Sequence, residues 1–213
     1  LRHIAFMRRH RFLLQLDIRK YFPSISHQKL LEGLTCRFPE ATMTRLFRTI
    51  VEAHDGVYLR TAVQRHLADP LFQPERGRGL PIGLLTSQVW GNAFLDPLDQ
   101  FIKRELKVGG YLRYMDDLTL FADSRAILRT WQQAIDVWIK AHLDLTLREE
   151  RARLLPCTAS VVYLGHRVDR QGHQPVAGFY RRLERRLHGW VVRMPPVAHV
   201  ERSLASSAGL FRF

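Results

Sequence analysis

The chain has 213 residues, 46% of them hydrophobic and 25% charged, which allows a proper core in one domain or one domain with a small appendage. A formal net charge of +13 suits a polyanionic partner, through phosphate neutralisation and counterion release. No apolar run is long enough to span a bilayer and no signal-peptide pattern opens the chain, so no membrane is expected and a cytoplasmic location is. Cys36 and Cys157 lack zinc spacing and are too few for a disulfide framework, in keeping with a reducing compartment. The chain does not begin with Met, and the expectation is a piece of a longer protein.

Phe12 to Ile18 (FLLQLDI) reads as a strand with Phe12, Leu14 and Leu16 on one face and Leu13, Gln15 and Asp17 on the other. Asp17 then sits at the strand's rim, and Pro23 blocks continuation. Ser26 is the expected N-cap of a helix through Leu34. Met43, Leu46, Phe47, Ile50 and Val51 mark a second helix, ending near His54-Asp55-Gly56. Residues 56–75 carry little pattern beyond a turn at Ala68-Asp69-Pro70. A Gly-rich connection, Glu75 to Gly83, leads to a helix that Ser87 can cap. Its stripe is Val89, Trp90, Phe94, Leu98, Phe101 and Ile102, with Pro97 either kinking it or opening a second helix capped by Asp96.

Tyr111 to Ala122 (YLRYMDDLTLFA) alternates on both sides of Asp116-Asp117, which predicts a tight hairpin with two carboxylates at its tip. Ala126 to His142 is an amphipathic helix. Leu143–Leu147 and Ser160–Val168 read as short strands, and Asp169–Gly172 as a turn to a strand at Gln174–Val176. Arg181 to Val192 is a basic helix stopped by Pro195-Pro196. Basic residues cluster at Arg2, Arg8, Arg9, Arg11, Arg19 and Lys20, and again at Arg181, Arg182, Arg185, Arg186 and Arg193. They are mostly Arg, whose planar fork suits phosphate. An antiparallel sheet with helices on one face would bring Asp17, Asp116 and Asp117 to one edge. Carboxylates so gathered suit two Mg²⁺ ions that activate an attacking hydroxyl and stabilise a leaving oxygen.

Four segments in this order, LDIRKYFPSI, GLPIGLLTSQ, YLRYMDDLTLF and VVYLGHRV, resemble the palm motifs of reverse transcriptases. The likeness is greatest to bacterial enzymes of the diversity-generating-retroelement and group II intron-like types, and runs from about residue 6 to 190. It implies an α+β polymerase palm with incomplete fingers and thumb. It divides the chain into the start of the palm (1–55), a fingers–palm connection (56–86), the palm core (87–177) and a basic helix opening the thumb (178–213).

The resemblance also implies an RNA-directed DNA polymerase that uses an RNA template, a DNA or RNA primer and dNTPs, together with an accessory protein. Its ions would be two Mg²⁺, with Mn²⁺ as the alternative. It makes Asp17 and Asp116 the main ligands, with the Ile18 carbonyl assisting and Asp117 completing the acidic pair. Arg19, Lys20, Tyr21, Phe22, Ile82, Gly83 and Gln88 fall in the nucleotide pocket, with Phe22 as the gate against a ribose 2′-hydroxyl. Ser87 and Gln88 would cap the helix beneath. Leu164 and Gly165 match the primer grip, and Arg181, Arg182, Arg185 and Arg186 would meet nucleic-acid backbone. Arg151 stands where the family often carries Lys, and Leu84 where relatives tend to have Asn. Ile82 with Gln88 is the pattern of the error-prone class. A truncated palm that binds nucleic acid without polymerising is the alternative.

Overall fold

The computed structural model describes residues 2–53, 55–56 and 75–193. The expected turn at Ala68-Asp69-Pro70 and the stop at Pro195-Pro196 lie outside them. The chain forms two compact units, one of Leu14–Leu154 and one of Leu1–Leu13 with Leu155–Phe213.

The larger unit is built on strands β1 (Phe12–Asp17), β2 (Gly110–Tyr114), β3 (Asp117–Ala122) and β4 (Arg153–Pro156), in the order β2-β3-β1-β4. The central place of β1 explains its burial. Leu13, Leu14 and Leu16 are all buried, so both faces of the strand are covered, with Gln15 and Asp17 only partly exposed. Strands β2 and β3 pair antiparallel from Gly110↔Phe121 to Tyr114↔Asp117. The two-residue tip is therefore Met115-Asp116, and Asp117 is already in β3. The tip thus lies one residue earlier than the alternation around Asp116-Asp117 predicts.

Helix α2 (Tyr21–Ser24) follows β1 and contains Pro23, tolerated because a first-turn residue needs no N–H partner. Ser26 caps α3 (His27–Arg37) as expected, its side chain accepting from the Lys29 amide at 3.4 Å. Helix α4 (Ala41–Glu52) packs on α3 through Phe47, which meets Trp90 edge-on. Helix α5 (Leu85–Phe94) begins two residues before Ser87. Its N-cap is Leu84 and Ser87 lies buried inside the first turn, so neither Ser87 nor Gln88 caps it.

The expected long stripe is broken into α5, α6 (Asp96–Gln100) and a π-turn, Phe101–Glu105. Pro97 opens α6 rather than kinking α5, but the N-cap is Leu95 and Asp96 is already helical. Leu98 and Ile102 are fully buried, as an apolar stripe requires. Helix α7 (Arg125–Leu143) covers β3 with Leu128, Ile135 and Ile139. The strand expected at 143–147 is reduced to one bridge, Ile18↔Leu147, whereas β4 was not foreseen.

The smaller unit contains α1 (Arg2–Arg9), the three-stranded antiparallel sheet of β5 (Val161–Tyr163), β6 (His166–Val168) and β7 (His173–Pro175), and α8 (Ala177–Arg193). Ser160–Val168 is thus two strands and a turn. Leu164 (φ 49°) and Gly165 (φ 77°) make that turn, the positive pair that a two-residue hairpin loop demands. Arg170 donates to the carbonyls of Met7 and His10 at 2.9 and 3.0 Å, closing the C-terminal end of α1. Among the described residues, no helix is long and apolar enough to cross a membrane.

Candidate active site

Three backbone hydrogen bonds fix the end of β1. The Ile18 N–H donates to the Asp116 carbonyl (3.3 Å), the Arg19 N–H to the Thr146 carbonyl (2.9 Å), and the Arg148 N–H to the Asp17 carbonyl (2.8 Å). Asp17 is thereby held between the hairpin tip and residues 146–148. Asp17 and Asp116 are half-buried and Asp117 is exposed at the start of β3, and each carboxyl has its pKa raised, first of all by desolvation. Asp116 is pushed up to about 6, with repulsion from Asp17 and Asp117 adding to the burial. Asp17 also raises Asp117. Opposing this, the Arg151 Nη1 lies 3.3 Å and the Arg148 Nη1 4.0 Å from Asp17 Oδ2.

A set of carboxylates that resist ionisation together attracts a hard cation. Among the described residues no three His, Cys, Asp or Glu side chains stand close enough to hold an ion by themselves. The donor set nonetheless fits Mg²⁺, which needs only one or two carboxylates when substrate phosphates and water complete its shell.

Beside the acids, α2 and the Gly-rich segment are laced together. The Gly79 N–H donates to the Ile25 carbonyl (2.8 Å) and the Leu80 N–H to the Phe22 carbonyl (2.9 Å), while His27 Nε2 bonds the Gly79 carbonyl (2.8 Å). Tyr21 is buried and donates its hydroxyl to the Gly91 carbonyl. A Cβ at Gly91 would stand 3.3 Å from Phe22 Cε1 and 3.4 Å from Tyr21 Cε1, so this glycine lets α5 seat both rings. Lys20 is in the left-handed region, and Arg19 donates from Nη2 to both carboxylate oxygens of Glu150, at 2.9 and 2.8 Å.

Gly83 has φ 99°, so its backbone demands glycine although a Cβ would touch nothing. Leu80 packs under the loop at 2% exposure, whereas Ile82 (73%) and Leu85 (76%) face outward. Ile82 therefore does not serve as packing for the loop. Gln88 is exposed on α5.

Residues 2–168 match the family described as "Reverse transcriptase (RNA-dependent DNA polymerase)". This chain belongs to the reverse transcriptase family. Protein YkfC of Escherichia coli (strain K12) is 21% identical, the match covering 76% of this chain and 48% of YkfC. The chain thus spans about half the length of that curated relative. The fold is similar to that of apo telomerase from Candida tropicalis truncated from its C-terminal domain, with TM-score 0.57 and 11% identity, covering 81% of this chain and 39% of that one. Telomerase from Candida albicans in complex with a TWJ fragment of telomeric RNA gives TM-score 0.58 and 12% identity, covering 83% and 33%.

In this reverse transcriptase fold the remaining residues fall in different places. Leu164 and Gly165 form the β5–β6 turn of the smaller unit. Arg181 and Arg185 are exposed on α8, and the side chains of Arg182 and Arg186 lie outside the described residues. Two members of the N-terminal basic cluster are committed internally: Arg8 Nε donates to the Arg170 carbonyl at 2.8 Å, and Arg19 pairs with Glu150. Sequence reasoning missed a polar cluster of Asn92, Asp99, Tyr111 and Arg113 beneath the reverse transcriptase hairpin. The available signal was Asp99, an acid placed beside Leu98, Phe101 and Ile102 in an otherwise apolar stripe.

Proposed function

We propose that this reverse transcriptase-like core is an RNA-directed DNA polymerase that adds dNTPs to a primer 3′-hydroxyl on an RNA template. The observation that carries the reading is the set of mutually repelling, partly desolvated carboxylates Asp17, Asp116 and Asp117 at the β1 end and the hairpin. Asp17 and Asp116, with the Ile18 carbonyl and Asp117, are the residues to hold two Mg²⁺ (or Mn²⁺), which when bound lower the pKa of the 3′-hydroxyl and neutralise the leaving oxygen.

The chain's own groups then do the rest. Phe22 meets the sugar face and excludes a 2′-hydroxyl. Lys20, Tyr21, Ile82, Gly83 and Gln88 shape the nucleotide pocket by backbone and surface, and Leu164-Gly165 grips the primer. Arg148 and Arg151, already beside Asp17, are placed to receive the pyrophosphate, with Arg19 held nearby by Glu150. A guanidinium is a poor proton donor, so on this reading the pyrophosphate takes its proton from water rather than from a lysine. Exposed Arg181 and Arg185, with Arg182 and Arg186, hold backbone phosphates.

Ile82 with Gln88 favours the error-prone, diversity-generating type over the intron-like type. An aliphatic side chain at 73% exposure offers the incoming sugar no hydrogen bond, and losing one costs roughly 0.5–1.5 kcal/mol of positioning.

The second reading, a palm that holds nucleic acid without polymerising, draws on the Asp17–Arg151 contact, which partly neutralises an acid the chemistry needs. One comparison separates the two. In the full-length protein Asp116→Asn should abolish primer extension on RNA while nucleic-acid binding stays nearly intact. A wild type that binds but does not extend with Mg²⁺ or Mn²⁺ selects the binding module.

A further inference from the structure

We infer that Arg113 is a positioning residue that sets the Met115-Asp116 tip, and with it the Asp116 carboxylate, against the end of β1; that this matters to catalysis rests on the polymerase reading above. The tip needs such a device. Met115 has φ 53°, a left-handed conformation that residues with a Cβ adopt rarely and hold only when their surroundings enforce it.

The enforcement is visible. Arg113 Nη1 donates to the Met115 carbonyl at 3.2 Å and to Asn92 Oδ1 at 3.0 Å. Its Nε and Nη2 fork onto Asp99, at 2.8 Å to Oδ1 and 2.6 Å to Oδ2, and Nη2 also reaches the Asn92 carbonyl at 3.4 Å. Tyr111, two residues earlier on β2, donates its hydroxyl to the same Asp99 Oδ1 at 2.7 Å and so helps fix the carboxylate. One planar group thus ties the hairpin tip to α5 through Asn92 and to α6 through Asp99. With its side chain 11% exposed, it does so largely shielded from water.

The strands themselves do not depend on it, since β2 and β3 are paired by their backbones from Gly110↔Phe121 to Tyr114↔Asp117. What Arg113 adds beyond that ladder is a bond to the residue next to Asp116. Lysine carries the same charge but lacks the fork, and cannot reach Asp99, Asn92 and the Met115 carbonyl together.

Arg113→Lys in the full-length protein tests this with two readouts. The first is hydrogen exchange at the Ile18 amide, which donates to the Asp116 carbonyl. It should exchange roughly tenfold faster in the variant, while the amides of Leu112 and Leu120 and the melting temperature hold. The second is primer extension, where kcat should fall roughly tenfold to hundredfold with KM for dNTP little changed, because the Phe22 and Ile82 surfaces are untouched.

An unchanged Ile18 amide overturns the inference. So does loss of Ile18 protection only together with Leu112, Leu120 and the melting temperature, which would make Arg113 a general strut. Should Arg113→Lys fail to fold, Asp99→Asn keeps an acceptor for Tyr111 while loosening the fork, and must move Ile18 in the same direction. If the wild type extends no primer, the polymerase reading falls, and the Ile18 amide alone decides the positioning role.

Discussion

Gly91 illustrates how a residue without a side chain seats its neighbours. Its Cα is the surface on which Tyr21 and Phe22 rest, and a methyl there would meet Phe22 at 3.3 Å. Gly91→Ala should shift the Phe22 ring by a few tenths of an ångström and cut dNTP incorporation by roughly tenfold, mostly in KM. Steady-state extension with dCTP and CTP side by side checks it, and an unaltered ratio of the two would remove Phe22 from the role of sugar gate. Leu164 is the opposite case, a bulky residue at φ 49° where a two-residue hairpin turn favours Asn or Gly. Leu164→Asn should stabilise the smaller unit by about 1 kcal/mol, read as a rise in its urea midpoint. Ile82→Gln addresses subtype. On a defined RNA, the wild type should misincorporate opposite adenines and the variant less so; equal fidelity at all four bases would leave an ordinary intron-like polymerase.

At the scale of elements, α1 carries a pH dependence. His3 is 4% exposed, packs against Tyr163 of β5 with the ring centroids 4.6 Å apart and tilted, and has its pKa lowered by burial to about 4. An unfolded histidine takes its proton near pH 6.5, before the folded one does. The stabilisation is therefore complete above about pH 6.5 and is lost as pH falls towards 4. At about 1.4 kcal/mol per pH unit the loss between pH 7 and pH 5 is about 2 kcal/mol. Denaturant melts of wild type and His3→Phe at both pH values should differ by that amount; parallel losses would show that His3 is not the titrating group. Helix α1 was not foreseen, because its apolar residues, Ile4, Phe6 and Met7, are diluted by arginines. The break of the long stripe into α5, α6 and a π-turn was only half legible, since Pro97 suits either a kink or a helix start.

For the whole molecule the dominant property is charge. Arg2, Arg9, Arg181 and Arg185 are exposed, whereas Arg8 and Arg19 have internal partners. About four phosphate contacts predict that affinity for single- or double-stranded nucleic acid falls roughly hundredfold between 50 and 200 mM salt, with little sequence preference. Fluorescence anisotropy across that range measures the slope, and a flat one would remove these arginines from the binding surface.

The sequence by itself determined the family and the kinds of element that carry its motifs. Alternation around Asp116-Asp117 and the apolar run ending in Asp17 are local patterns, and a strand's period of two is written in the residues that form it. Tertiary structure decided what those residues meet. It placed β1 between β3 and β4, although about a hundred residues separate Asp17 from Asp116 in the chain, because only a central position buries Leu13, Leu14 and Leu16 together. It moved the tip to Met115-Asp116, turned Ile82 outward, and gave Arg113 its partners Asn92 and Asp99, which lie 21 and 14 residues away. Such pairings follow from how helices and sheet close over one core, and no period within a single element encodes them.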